Sequence, residues 1–211
     1  MRLILLGPPG AGKGTQAVRL AERFDVPHVA TGDLLRFAVA WETPIGMRAK
    51  SYMDAGDLVP DEIVLELLRT RLSQADASVG FLMDGYPRNT AQADSLSAIL
   101  DEIGQHLDAV VSMEVDDEII VERLSSRWSC PTCGRTFKLN DGMPTHCNLD
   151  ATRLFQRDDD KPEVIRKRLG IFHAQTAAVV AYYEKLGIVQ HVNGVGGMDE
   201  VEARIAKTIE S

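Results

Sequence analysis

Apolar positions arrive in short blocks separated by longer amphipathic stretches. Leu3 to Leu6 are four apolar residues in a row, the signature of a strand buried on both faces. Val26 to Ala30, Gly80 to Asp84, Ala109 to Val115 and Val189 to Val192 are further strand-like runs. Between them, helical spacing covers Gln16 to Phe24, Leu34 to Trp41, Ile45 to Ala55, Asp61 to about Ser73 and Asn89 to Ile103. Thr31-Gly32-Asp33 reads as a capping turn before the second of these, Thr43-Pro44 breaks it, and Gly56 ends the third. Asp116 is placed to cap a helix reaching about Trp128, and Pro162 to open a long helix reaching about Leu186. Asp199 to Ile209 closes the chain as a helix, and residues 129–157, rich in Cys, Gly, Pro and Asn, follow neither period. Strands separated by helices predict an α/β fold with a doubly wound parallel sheet and ligands at the carboxyl ends of its strands.

The first strand runs into Gly7-Pro8-Pro9-Gly10-Ala11-Gly12-Lys13-Gly14-Thr15. Gly7-x4-Gly12-Lys13 is the spacing of a phosphate-binding P-loop. Its glycines let backbone N–H groups turn toward one anion at a helix N-terminus, and Lys13 adds a mobile charge. Gly14 stands where many such loops carry the magnesium-binding Ser or Thr, and no Asn-Lys-x-Asp guanine-reading motif occurs. Both point to a kinase rather than a GTPase. Asp84 ends a hydrophobic strand, where a carboxylate serves magnesium beside such a loop.

Bulk properties narrow the setting. With 211 residues, 45% hydrophobic and 26% charged, the chain reads as an ordinary globular protein with one core and small insertions. A formal charge of −8 argues against non-specific binding to nucleic acid or anionic membranes. No apolar run has membrane-spanning length, and the N-terminal one is too short for a signal peptide, so a cytoplasmic protein is expected. The three cysteines fall in two knuckles, Cys130-Pro131-Thr132-Cys133 and Cys147-Asn148-Leu149-Asp150, spaced for a closed structural zinc site rather than a disulfide framework. Asp150 supplies the fourth ligand, with His146 the alternative. A zinc-ribbon nucleic-acid module would need a basic stripe with aromatics, which the chain lacks.

The P-loop, the run Thr31-Gly32-Asp33-Leu34-Leu35-Arg36 and the segment Phe81-Leu82-Met83-Asp84-Gly85-Tyr86-Pro87-Arg88, with Gln92 four residues on, resemble adenylate kinase over essentially the whole chain. That resemblance implies phosphoryl transfer from MgATP to AMP giving two ADP, by a cytoplasmic monomer. A UMP/CMP or GMP kinase is the alternative. It divides the chain into a core (1–30, 60–127 and 159–211), an AMP-binding domain (31–59) and a lid (128–158). It implies ATP contacts at Gly10, Ala11, Gly12, Lys13, Gly14, Thr15, Arg123, Arg127, Phe137 and Gly196. It implies AMP contacts at Thr31, Arg36, Val59, Gly85, Arg88, Gln92, Arg157 and Arg168. Lys13, Arg88, Arg123, Arg157 and Arg168 are the catalytic set it implies, and Asp33 and Asp84 the partners of magnesium-bound water. Within some bacterial adenylate kinases the second zinc knuckle likewise ends in Asp. An amide at Gln92 suits the adjacent donor and acceptor of adenine, where a carboxylate would suit guanine better. Arginine suits the phosphates because its fork binds two oxygens and keeps its proton. Phe137 is placed either near the ATP adenine or in lid packing. Arg166, Lys167, Asp54, Trp41 and the other histidines carry no signal beyond surface or core use.

Overall fold

A computed structural model describes residues 1–138 and 145–210; residues 139–144 of the expected lid lie outside the described residues. In chain order the elements are β1 (Arg2–Leu6), α1 (Lys13–Phe24), β2 (His28–Ala30), α2 (Thr31–Ala40), α3 (Pro44–Ala55), α4 (Asp61–Leu72), β3 (Phe81–Asp84) and α5 (Thr90–Glu102). They continue with β4 (Ala109–Glu114), α6 (Asp117–Ser125), β5 (Arg127–Ser129), β6 (Thr136–Lys138), α7 (Pro162–Ile171), α8 (Ala177–Glu184), β7 (Val189–Asn193) and α9 (Met198–Ile209).

Five strands form one parallel sheet in the order β2-β3-β1-β4-β7, with β1 registered to β3 on one side and β4 on the other. Side chains of β1 alternate between two cores, as a strand covered on both faces requires. Leu3 and Leu5 pack with Ala17 and Leu20 of α1 and Val201 and Ile205 of α9. Ile4 and Leu6 pack with residues of α2, α4, α5 and α8, including Leu35, Leu68, Leu96 and Tyr183. The chain order reverses beside β1, so the loop that follows β1 opens at the switch point of the sheet.

Several element boundaries differ from the sequence reading, each for a local reason. Helix α1 starts at Lys13 rather than Gln16, because Gly12 at φ 99° serves as its N-cap residue. Helix α2 begins at Thr31 itself, whose hydroxyl donates to Gly85 O (3.0 Å) instead of capping a helix three residues later. At the start of α3, Thr43 Oγ1 accepts from Gly46 N with Pro44 just inside, as its sequence suggests. Helix α6 stops at Ser125, short of Trp128, because Arg127–Ser129 pair antiparallel with Thr136–Lys138. Asp116 precedes α6 without a side-chain cap bond. The expected single helix from Pro162 is interrupted by a π-helical turn, Phe172–Thr176, between α7 and α8.

Candidate active site

Lys13 heads α1, and its Nζ donates to Gly7 O (2.8 Å) and Pro8 O (2.9 Å), folding the glycine loop around it. Burial pushes its pKa down from 10.5 to about 8; Asp84 opposes that fall, while Arg88, Arg168 and Arg127 add to it. Gly14 is explained by the same neighbourhood. A Cβ there would sit 3.3 Å from Asp84 Oδ2, so the carboxylate occupies the space a Ser or Thr would take. Asp84 also faces His28 Nε2 at 3.9 Å from the adjacent strand.

Arginines from six segments, Arg36, Arg88, Arg123, Arg127, Arg157 and Arg168, converge on this loop. Arg88 is pushed down to about 10, first by burial and then by Arg168 and Arg36, with Asp84 opposing. Arg157 falls to about 10 through burial and through Arg36 and Arg127, and Arg168 is lowered by burial with Asp159 opposing. All stay charged at neutral pH. Protein acceptors hold most of them. Arg36 donates to Asp33 (2.5 Å), Arg88 Nε to Gly85 O (2.8 Å), and Arg168 to Asp159 Oδ2 (2.8 Å). Arg127 forms a two-pronged pair with the fully buried Asp160 (2.8 and 2.5 Å). Arg123 reaches Gly194 O (3.3 Å) and, at 3.5 Å, Ala11 O of the loop. The Arg157 guanidinium has no hydrogen-bonded partner among the described residues, although its backbone carbonyl accepts from Asp160 N at 3.1 Å.

The remaining site residues of the sequence reading take different places. Thr31 and Gln92 are buried, and both bond to the Asp84–Arg88 turn: Thr31 Oγ1 to Gly85 O and Arg88 N to Gln92 Oε1 (2.7 Å). Val59 is a core residue in the cluster around α4. Phe137 packs with Cys130, Cys147 and Leu154, so lid packing is where its ring lies. It is Gly194, with its space bounded by Ala11 O, that meets the loop after β1, whereas Gly196 sits against Glu200 and Arg204. Sequence reasoning missed Asp61, Asp159 and Asp160, the carboxylates that hold Gln92, Arg168 and Arg127. Asp159 and Asp160 had one sequence signal, the run Asp158-Asp159-Asp160 beside Arg157, and Asp61 had none. Lys167, read as a solvated lysine, bridges to Asp57 (2.7 Å) and Ala55 O.

A second cluster lies beyond β5. Cys130, Cys133, Cys147 and Asp150 bring one ligand atom each within 4.8 Å of one another. Cys133 and Cys147 sulfurs are 3.6 Å apart, and Cys130 Sγ is 3.3 Å from Asp150 Oδ2. Tetrahedral zinc with Zn–S bonds of about 2.3 Å needs sulfurs about 3.8 Å apart, so the donor set and its spacing fit that ion. The Thr152 N–H, bonded to Asp150 Oδ1 at 2.9 Å, helps push the Asp150 carboxyl down to about 2, leaving it ionised. His146 is outside the group: its Nδ1 pairs with Thr145 Oγ1, and its backbone bridges to Arg153.

Comparison with known proteins agrees with this geometry. The family model described as adenylate kinase matches residues 5–188. The adenylate kinase of Thermodesulfovibrio yellowstonii is 46% identical over 213 residues, covering 100% of this chain and 99% of that protein. Those of Geotalea daltonii (45%, 100% of both chains) and Caldicellulosiruptor bescii (47%, 99% of both) are similar to the same extent.

Proposed function

This chain belongs to the adenylate kinase family and is a phosphotransferase, and we propose how its side chains divide the family reaction, reversible phosphoryl transfer from MgATP to AMP giving two ADP. The amides of Gly10, Ala11, Gly12, Lys13, Gly14 and Thr15, with the Lys13 ammonium, hold the outer phosphates of ATP. Arg123 and Arg127 lie along the same nucleotide. Arg36 and Arg88 grip the AMP phosphate, and Thr31, Val59, Gly85 and Gln92 surround its base. Arg157 and Arg168 close on the phosphoryl group in flight, joined by Lys13 and Arg88. Magnesium arrives with ATP, and Asp33 and Asp84 orient its water shell.

One observation carries this reading: six arginines and a lysine, four of these cations with pKa values lowered chiefly by burial, share one cleft with only a few carboxylates. Cations gathered at such expense in desolvation are arranged for a polyanion. Asp33, Asp159, Asp160 and backbone carbonyls hold most of these cations, and phosphate oxygens take over as those contacts open. Transfer then proceeds in line, by alignment and charge neutralisation, without a covalent intermediate or an obligate base. Segments 31–59 and 128–158 act as AMP-binding domain and lid, closing to keep water from the phosphoryl group. Cys130, Cys133, Cys147 and Asp150 hold one structural zinc ion, which orders the lid and takes no part in the transfer.

No helix among the described residues is long and apolar enough to cross a membrane. A cytoplasmic monomer accounts for the acidic charge and for a cleft contained in one chain; light scattering after gel filtration tests it and should give the mass of one chain. The deciding experiment is a coupled assay with AMP, GMP, CMP and UMP as acceptors. AMP should be phosphorylated far faster than the others, and preference for any other acceptor would overturn the assignment.

A further inference from the structure

Gln92 lies in the first turn of α5, buried, with both ends of its side-chain amide held. Oε1 accepts from the Arg88 backbone N–H at 2.7 Å, and Nε2 donates to Asp61 Oδ1 at 2.6 Å. Both partners act in one sense only. A backbone amide donates, and an ionised carboxylate accepts. Asp61 opens α4, and Asn89 Nδ2 stands 3.3 and 3.4 Å from its two oxygens, steadying the carboxylate in turn. Turning the Gln92 amide by half a revolution would set oxygen against carboxylate and N–H against N–H. The surroundings therefore fix which end of the amide is oxygen.

That orientation bears directly on choice of base. Adenine offers an acceptor, N1, beside the donor N6; guanine offers the donor N1–H beside the acceptor O6. After its two bonds to protein the Gln92 amide keeps one N–H and one oxygen lone pair. A freely turning amide presents these in either order and accepts both purines, whereas a locked one presents a single order. We propose that Asp61 is a specificity-determining positioning residue, locking the Gln92 amide in the order that fits adenine and misfits guanine. This rests on the reading that Gln92 contacts the acceptor base.

The test measures kcat/KM for AMP and for GMP at saturating MgATP in five proteins: wild type, Asp61→Ala, Asp61→Asn, Gln92→Ala and Asp61→Ala/Gln92→Ala, each checked by its melting curve. Asp61→Ala should lower the AMP:GMP ratio about tenfold, the scale of one hydrogen-bonded pair with a polar group left unmatched. Asp61→Asn, whose own amide can turn with that of Gln92, should lower it about threefold, and it carries the test if the alanine variant does not fold. In the Gln92→Ala background, Asp61→Ala should change the ratio no further. If Gln92→Ala shifts the ratio while both Asp61 variants stay within a factor of about 1.5 of wild type, the lock is refuted. An equal Asp61→Ala effect with and without Gln92 refutes it as well. If Gln92→Ala leaves the ratio unmoved, the reading of Gln92 as a base contact fails, and the lock falls with it.

Discussion

The phosphate cleft and the cysteine-bearing segment are both built from loops, yet they are held in shape by different means. Around the cleft, the loop after β1 and the Asp84–Arg88 turn spring from strands whose side chains are fully buried on both faces, among them Leu3, Ile4, Leu5, Phe81, Leu82 and Met83. Each such side chain contributes roughly 2 kcal/mol or more by leaving water, and the sum fixes the backbone that carries Lys13 and Arg88. Beyond β5 the buried cluster is Cys130, Cys147 and Leu154, with Trp128 and Phe137 packed at its edge. Ordering each residue costs about 1 kcal/mol or more, which a cluster that small cannot offset over segment 128–158. The cleft inherits its precision from the hydrophobic core, while on the proposed reading the lid takes its order from four ligands and one zinc ion. Asp160 joins the two regions, tying Arg127 on β5 to the turn that leads into α7.

The sharpest way to break this contrast is Lys13→Ala. It removes charge from the cleft without touching either core, so turnover should fall at least roughly a hundredfold, about 3 kcal/mol of transition-state stabilisation, while the melting temperature holds. Near wild-type turnover in the purified variant would remove Lys13 from the chemistry. Arg88→Ala should weaken all acceptors alike, because phosphate is common to them, whereas Gln92→Ala should lose about tenfold mainly with AMP. Matching acceptor profiles in the two variants would show that phosphate and base are not read separately.

A smaller effect follows from pH. Free Lys13 loses its proton near pH 8, below its ordinary 10.5, because of burial. On the proposed reading ATP binds the charged form and raises that pKa, so binding should take up a proton and affinity should weaken as pH rises past 8, by at most tenfold per unit. Stability runs the other way. Between about pH 8 and 10.5 the folded protein binds fewer protons at Lys13 than the unfolded chain does, so this group's contribution grows with pH. Titration calorimetry in two buffers of different ionisation enthalpy would detect the proton; no uptake at pH 8.5 would contradict the argument.

What could be read in the sequence was whatever is local in it. The glycine spacing before Lys13, the Asp84–Arg88 run and the two knuckles each lie within ten residues, and the structure places the residues of each run together. The four-residue apolar run of β1 announced a strand covered on both faces, and alternate side chains do enter two cores. The partners that orient these residues are remote: Asp160 lies 33 positions from Arg127, and Asp61 lies 31 from Gln92. No periodicity links such pairs, since the fold creates them. Strand β5 was hidden for a similar reason, because Arg127–Ser129 gains its partner only when β6 folds back. The π-helical turn before α8 leaves the apolar spacing helical, and the buried Thr176 hydroxyl that it turns onto Arg88 O (2.8 Å) is a tertiary contact.

The most direct test removes the metal and follows both regions in one sample. Protein purified without chelator should contain one zinc per chain, and Cys147→Ser should lose it, while Asp150→Ala should hold it more weakly. After chelation, the melting temperature should fall by several degrees, recovering when zinc is returned, while the initial rate of ADP formation at moderate temperature stays within a few-fold of the starting value. A metal-free preparation whose melting curve chelator leaves unmoved, or a transfer rate that collapses while the melting curve stays put, would contradict the division between a core-built cleft and a metal-built lid.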